Sequence, residues 1–219
     1  MKIDICIQAT LRPGILERTL ESFNKNLFGR WNQDHDYRCI CNIDCIGDEN
    51  RSPDDVVTVL QKFFGNKTIC IINGVPCFSH AVIETWKRVE SEFFFNLEDD
   101  WILNEKVDIE KMIKIMQSNP MMASLRLPKG PWKKHAFSQN PSLIRTSWMK
   151  IIIDKIRFHE SVEVQLYNIK YIKDDWLFGL YPAFAGSPII TDIGREWRDT
   201  HNFKKGRVNF ATWTKRIKK

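Results

Sequence analysis

Three consecutive acidic residues, Glu98, Asp99 and Asp100, follow a run of aromatic and apolar residues. A short apolar run bounded by polar residues is typical of a strand buried on both faces. Open α/β sheets bind ligands at the carboxyl ends of such strands. Adjacent carboxylates repel one another, and Mg²⁺ or Mn²⁺, which take hard oxygen ligands and substrate phosphates, would stabilise them. The motif predicts a metal–diphosphate site, and a structural acidic turn is the alternative interpretation.

The hydrophobic pattern before this motif predicts alternating strands and helices. Ile3, Ile5 and Ile7 alternate with polar or small residues, which favours a first strand. The predicted strands are Lys2–Ala9, Tyr37–Ile43, Thr68–Ile72 and Glu92–Leu97, and the predicted helices are Ile15–Leu27, Ser52 to about Phe64, and Ser79–Val89. This order predicts an α/β fold with a parallel, doubly wound sheet.

The alternation loosens after the acidic motif. Predicted helices are Val107–Gln117, Thr146–Ile156, Val162–Asn168 and Asp192–His201, and predicted strands are Met122–Leu127 and Ser142–Arg145. No linker composition separates the two parts. We therefore expect one domain over 1–219, with a nucleotide-binding half at about 1–101. A smaller acceptor-binding half follows at about 102–219 and includes a basic C-terminal segment.

The composition favours a globular protein with anionic partners. The chain has 219 residues, and 33 Lys and Arg against 27 Asp and Glu give a net charge of +6. No apolar stretch is long enough for a membrane span, and no signal-peptide pattern follows Met1, so a cytoplasmic location is expected. Cys39, Cys41 and Cys45 lack paired C-x-x-C spacing, which disfavours structural zinc.

Four places along the chain resemble GT-A-fold glycosyltransferases of family 2. The first strand leads into Thr10-Leu11-Arg12-Pro13, the second ends at Asp44 with Gly47-Asp48 after it, a helix begins near Ser79, and the fourth strand ends at Glu98-Asp99-Asp100. These resemble the family's T-x-(N/R)-(R/P) start, its D-x-G-S-x-D loop, the helix before strand four and its D-x-D metal motif. Glu98 departs from the usual Asp, and Cys45-Ile46 replaces polar residues. The chain's compactness resembles the small viral and phage members, which implies the host cytoplasm.

The resemblance implies a nucleotide-sugar donor, with a UDP-sugar as the expected one. Thr10, Arg12 and Asp44 would hold the nucleoside and its phosphates. An aspartate at a strand end can accept hydrogen bonds from a ribose hydroxyl or a base N–H, and an arginine can pair with phosphate. A solvated surface charge at Arg12 and a turn acid at Asp44 are the alternative interpretations.

The resemblance also implies metal ligands, with Mn²⁺ or Mg²⁺ as the cofactor. Asp100 is the expected main ligand, and Glu98 lies two residues earlier, on the same side if the strand persists. Asp99 would then face the other way, towards sugar hydroxyls or a supporting partner. His201 is a candidate third ligand, and a histidine that ends a helix is the alternative.

Two groups of C-terminal residues are interpreted on the same basis. Lys204 and Arg207 would close over the diphosphate. Trp197 would stack on a sugar face or pack in the core.

Transfer with inversion requires a general base on the acceptor side. Glu163 is the first candidate, because it opens a helix-like segment in the second half, and Glu160 is the second. The pair Asp174 and Asp175 is the third option. Each of these acids also has a plain interpretation as a helix-end or surface residue.

The charge of the chain and its first loop also bear on the acceptor and on two alternative functions. We expect a glycan or a hydroxylated base in viral DNA as the acceptor, since the charge favours phosphates. A nucleotidyltransferase is one alternative, but Thr10–Gly14 contains one glycine where that class needs a glycine-rich loop. A non-catalytic nucleic-acid-binding protein is the other, suggested by the basic C-terminal segment.

Overall fold

The first four strands form a parallel sheet, as the alternating pattern predicts. They are β1 (Lys2–Leu11), β2 (Asp36–Gly47), β3 (Thr68–Asn73) and β4 (Phe93–Glu98), in the spatial order β3-β2-β1-β4. The register pairs Gln8 with Glu98 and Thr10 with Asp44. The carboxyl ends of β1, β2 and β4 therefore meet at one edge of the sheet.

The structure is a computed structural model that describes residues 1–29, 36–130, 137–158, 160–168, 175–182, 188–205 and 213–215. Asp174 and Arg207 lie outside the described residues, as does the side chain of Lys204. The interpretations placed on these three side chains stay predictions.

Helices cover both faces of the parallel strands. They are α1 (Pro13–Phe23), which continues as a π-helical turn over Asn24–Phe28, α2 (Pro53–Phe64) and α3 (Phe78–Trp86). The helices α1 and α2 pack on one face and α3 on the other. The predicted start of α2 is confirmed, because Ser52 and Asp55 form a capping box.

The aromatic run in β4 joins the two cores. Phe93 and Phe95 are fully buried against the α1 side, whereas Phe94 is fully buried against the α3 side. Each buried aromatic side chain stabilises the fold by about 1.5–3 kcal/mol. This strand is therefore the central element that carries the acidic motif to the sheet edge.

The second half extends the same sheet. Its elements are β5 (Trp101–Leu103), α4 (Ile109–Ser118), β6 (Met122–Arg126), β7 (Ser142–Arg145), α5 (Thr146–Ile152), α6 (Val162–Asn168), β8 (Leu177–Leu180), β9 (Ile190–Asp192), α7 (Gly194–Thr200), β10 (Phe203–Lys205) and β11 (Trp213–Lys215). The described sheet has the order β3-β2-β1-β4-β7-β6-β8, and β7 is antiparallel to both of its neighbours. The predicted α/β fold with a mainly parallel, doubly wound sheet is confirmed.

A two-stranded ladder of β5 and β9 brings a distant part of the chain next to the acidic motif. Strand β5 pairs antiparallel with β9, so that Trp101 lies opposite Asp192. The N–H of Ile193 then donates to the carbonyl of Asp100 at 2.9 Å. Helix α7 consequently begins directly beside Asp100. The ladder was not predicted, because three-residue strands are too short for a periodic pattern.

No helix in the described ranges is long and apolar enough to cross a membrane.

Gly47 ends β2 in a conformation that suits glycine. Its φ is 140°, and a Cβ at this position would lie 2.7 Å from the backbone oxygen of Leu11. The close approach keeps the ends of β1 and β2 together beyond the register shift after Thr10. A side chain here would push the two strand ends apart.

We expect Gly47→Ala to lower the free energy of unfolding by about 1–3 kcal/mol, because it adds both strain and a clash. Urea unfolding measures the change. Gly74→Ala is the matched control, since nothing lies within 4 Å of a Cβ there. Equal stability of the two variants would contradict the constraint at Gly47.

Candidate functional site

Asp99 is the centre of a buried hydrogen-bond network at the carboxyl ends of β1 and β4. One carboxylate oxygen accepts from the N–H and the hydroxyl of Thr10, both at 2.9 Å, and the other accepts from Nη2 of Arg12 at 2.5 Å. Its carbonyl accepts from the hydroxyl of Thr19 at 2.7 Å. Asp99 was expected to face sugar hydroxyls or a supporting partner if the strand persisted. Strand β4 instead ends at Glu98, and the Asp99 carboxylate contacts Thr10 and Arg12.

Arg12 connects Asp99 to Asp100 within this network. It is 3% exposed, and its Nη2 also lies 3.2 Å from Oδ2 of Asp100. Its Nε donates to the Thr10 hydroxyl at 2.8 Å, and its guanidinium lies 5.5 Å from the ring centre of Trp197. Burial alone would lower the pKa of Arg12, but the charges of Asp99 and Asp100 outweigh it and raise the pKa. The guanidinium therefore stays charged at all ordinary pH values.

Asp100 faces two arginines and the backbone of α7. Its Oδ2 lies 3.7 Å from Nη1 of Arg198, in addition to the contact with Arg12. A Cβ at Gly194 would lie 1.9 Å from the same oxygen, so only glycine fits there. Burial raises the pKa of Asp100, and Arg12 opposes the rise. Sequence reasoning did not single out Arg198 or Gly194, because both lie about a hundred residues away along the chain.

Asp44 lies in a second polar network at the end of β2. It is 4% exposed and accepts from Nδ2 of Asn42 at 2.9 Å. The amide of Asn73 bridges Asn42 and His80, with its Nδ2 at 2.6 Å from the Asn42 oxygen and 2.8 Å from the His80 ring. Burial raises the pKa of Asp44 to about 6. Polar Asn42 inside an apolar strand was the available signal for this network.

A narrow cleft of about 50 Å³ joins the two networks. Its lining includes Gln8, Asp44, Phe78, Glu98 and Arg198. A wider opening of about 470 Å³ lies beside it, next to the end of β2, and both are lined by Ile46. Its other lining residues are Leu11, Cys45, Gly47, Asp48, Glu49, Arg51 and Phe203. A third cavity, of about 300 Å³, is lined mainly by apolar residues. It lies towards the amino-terminal ends of the strands, near Ile5 and Tyr37.

The predicted general bases lie outside the cleft lining. Glu163 is exposed on α6, and its Oε1 accepts from the N–H of Gln139 at 2.7 Å and the hydroxyl of Ser138 at 3.0 Å. The carbonyl of Glu160 accepts from the Ser79 hydroxyl at 2.6 Å. Asp175 is exposed. Their catalytic roles stay predictions.

The predicted metal ligands are not assembled into one set. In the part of the chain that the structure describes, no three His, Cys, Asp or Glu side chains are grouped to hold a metal ion. His201 stacks on Trp197 with 4.1 Å between ring centres, and its Nδ1 lies 2.9 Å from the carbonyl of Trp197. Both oxygens of Asp99 accept hydrogen bonds from protein groups, and Asp100 faces guanidinium groups. As arranged, the donor set fits arginine better than a divalent cation.

Comparison with known proteins finds similarity in structure but not in sequence. No protein-family model matches the chain, and no curated protein matches it. The chain resembles S. aureus TarS residues 1–349 in complex with UDP, with a TM-score of 0.55 and 15% identity over 87% of this chain and 60% of that one. It resembles the mannosyltransferase PcManGT from Pyrobaculum calidifontis, solved with GDP-Man and Mn²⁺, with a TM-score of 0.54 and 11% identity over 68% of this chain and 46% of that one.

A nucleotidyltransferase gives a match of similar quality. A cytidylyltransferase from Leptospira borgpetersenii serovar Hardjo-bovis has a TM-score of 0.53 and 14% identity over 91% of this chain and 84% of its own. By contrast, the chain spans about a third to three fifths of the length of the TarS and PcManGT structures. These likenesses show that the chain has the fold shared by GT-A glycosyltransferases and nucleotidyltransferases.

The pair of Arg12 and Asp99 should dominate the stability of this site. Asp99→Ala removes the shorter of the two ion pairs of the buried Arg12 guanidinium, and we expect it to lower the free energy of unfolding by about 3–5 kcal/mol. Urea unfolding measures this. Glu17→Ala is the matched control, because the Lys62–Glu17 pair is of similar length, at 2.6 Å, but exposed, and its loss should change little. Similar losses in both variants would contradict the role of burial.

The raised pKa of Asp44 predicts a pH-dependent stability. Between about pH 4 and pH 6 the folded protein holds a proton that the unfolded chain releases, so the free energy of unfolding falls as pH rises. Relative to Asp44→Asn, the wild type should lose about 2–3 kcal/mol across this window and stay level above it. Urea unfolding at a series of pH values tests this. A constant difference between the two proteins would show that Asp44 ionises normally.

Proposed function

We propose that the chain is a glycosyltransferase that moves a sugar from a nucleoside-diphosphate donor to a hydroxyl acceptor. The observation that carries this is the charged cluster of Arg12, Asp99, Asp100 and Arg198 at the carboxyl ends of β1 and β4. In open α/β sheets this edge binds ligands, and charged groups fixed there suit a diphosphate leaving group.

The turn after β1 favours sugar transfer over nucleotidyl transfer. Strand β1 ends at Leu11 and helix α1 begins at Pro13, so Arg12 alone separates them. The N–H groups of Ile15 and Leu16 both donate to the carbonyl of Arg12. A turn this short has no run of free backbone N–H groups to surround a triphosphate, which P-loop-like phosphate sites require.

We propose that the donor's nucleoside binds at the end of β2. Asp44 is buried beside the cleft and can accept from a base N–H or a ribose hydroxyl. The complexes of TarS with UDP and of PcManGT with GDP-Man support a nucleoside diphosphate in this fold. A UDP-sugar is the donor that we propose.

We propose that the acceptor binds beyond β4. Strands β4 and β6 run in the same direction because both are antiparallel to β7, so Arg126 at the end of β6 lies at the same edge as the acids. Burial lowers the pKa of Arg126 to about 10, and the charge of Glu163 opposes this, which indicates that Glu163 lies nearby. Glu163 is the proposed general base, with Glu160 and Asp175 as the alternatives. It would take the proton of an acceptor hydroxyl on a glycan or on a modified base of DNA.

Nucleotidyl transfer is the second candidate function. Its support is the Leptospira cytidylyltransferase, which the chain matches over 84% of that protein's length. The two functions differ in the molecule that binds at the edge of the sheet: a nucleoside-diphosphate sugar in one case and a nucleoside triphosphate in the other.

A thermal-shift and hydrolysis panel tests the proposal. UDP-, GDP-, CMP- and dTDP-sugars and CTP would each be added in buffer with MnCl₂. At 100 times its Kd, one class of nucleoside-diphosphate sugar should stabilise the protein by about 2.7 kcal/mol, which raises Tm by roughly 5–10 °C, and free sugar should be released slowly. Asp100→Asn should remove the shift, while Asp154→Asn, which changes an exposed acid, should keep it.

Two outcomes would contradict the proposal. Stabilisation by CTP without any effect of the diphosphate sugars would identify a nucleotidyltransferase. No shift with any of these compounds, in a protein that circular dichroism shows to be folded, would remove the nucleotide site altogether.

A further inference from the structure

Two of the acids that line the cleft, Asp99 and Asp100, are already paired with cations of the chain. Oδ2 of Asp100 lies 3.2 Å from Nη2 of Arg12 and 3.7 Å from Nη1 of Arg198. The same Nη2 lies 2.5 Å from Oδ1 of Asp99. Two carboxylates thus face two guanidinium groups, so a divalent cation at Asp100 would compete with cations that the chain already supplies, although Asp44 and Glu98 also line the cleft.

The space around Asp100 also suits arginine. Mg²⁺ binds oxygen ligands at about 2.0–2.1 Å in near-octahedral geometry, with several ligands around it. The backbone of Gly194 already lies against Oδ2, so closely that a Cβ there would be 1.9 Å away. Any cation on this oxygen would stand beside the guanidinium groups of Arg12 and Arg198. Both oxygens of Asp99 accept hydrogen bonds from Thr10 and Arg12.

The two guanidinium groups are held in place from different directions. Arg12 is buried, bonded to Thr10 and packed against Trp197. Arg198 follows Trp197 on α7, and this helix is tied to Asp100 by the hydrogen bond from Ile193 and by the β5–β9 ladder. The side chain of Arg198 is 16% exposed and lines the cleft. A planar guanidinium fixed in this way matches the geometry of phosphate oxygens.

We infer that Arg198, positioned by Asp100 and supported by Arg12, binds the donor's diphosphate in place of a divalent cation. This inference rests on the proposed function and names the groups that stabilise its leaving group. As the bond from the anomeric carbon to the phosphate oxygen breaks, the electron pair leaves with the diphosphate, whose growing charge the guanidinium stabilises. The acceptor oxygen bonds to the anomeric carbon and its proton passes to the base. Asp100 is then a positioning residue for arginine.

Calorimetric titration with UDP, GDP and CDP tests the inference, with each nucleotide titrated in EDTA and in MnCl₂. The nucleotide that binds wild-type protein should bind equally well in both buffers. Arg198→Gln should weaken binding by about 10- to 100-fold in both, which is the loss expected for one charge-assisted hydrogen bond. Arg195→Gln is the matched control, since it removes an exposed arginine from the same helix and should leave binding unchanged.

Three results would contradict the inference, and each one leads to a different conclusion. Binding by the wild type that requires Mn²⁺ would overturn the inference and leave the proposed function standing, and this comparison needs no variant. Metal-independent binding that is equal in Arg198→Gln and Arg195→Gln would overturn the role of Arg198. Failure of wild-type protein to bind any of the three nucleotides in either buffer would overturn the proposed function and the inference together.

Discussion

The buried ion pair between Arg12 and Asp99 is the interaction on which the site depends. It joins the turn after β1 to the turn after β4, and each partner would be costly to bury alone. Thr10 and Trp197 complete the surroundings of the guanidinium, so the first strand, the fourth strand and α7 all meet at this point. The contact of these three elements determines the positions of Asp100 and Arg198 and forms the cleft between them.

Much of the architecture could be predicted from the sequence, because local patterns determine it. The apolar runs of β1 to β4 and the capping residues of α2 were visible as periodicity and spacing. The carboxyl ends of parallel strands meet at one edge, and this placed Thr10, Asp44 and Asp99 together in advance. The alternation in β1 identified the strand but not its polar contacts: the structure buries Asp4 completely and pairs it with Arg38.

The remainder could not be predicted, because it depends on contacts between distant parts of the chain. Gly194, Trp197 and Arg198 reach the acids through a ladder of two three-residue strands, which leaves no periodic signal. The roles of Asp99 and Asp100 also depend on where β4 ends, and a difference of one residue reverses the side to which a carboxylate points. An acidic triplet alone therefore indicates a charged site, but which cations face it is decided by tertiary structure.

A crystal structure of the chain with the nucleoside diphosphate that stabilises it would test the account most directly. The account predicts the diphosphate at the carboxyl ends of β1 and β4, with its oxygens in contact with Arg198 and its nucleoside beside Asp44. A nucleotide bound elsewhere would contradict it, whether in the cavity near Ile5 and Tyr37 or with its phosphates on the backbone of the turn at Arg12.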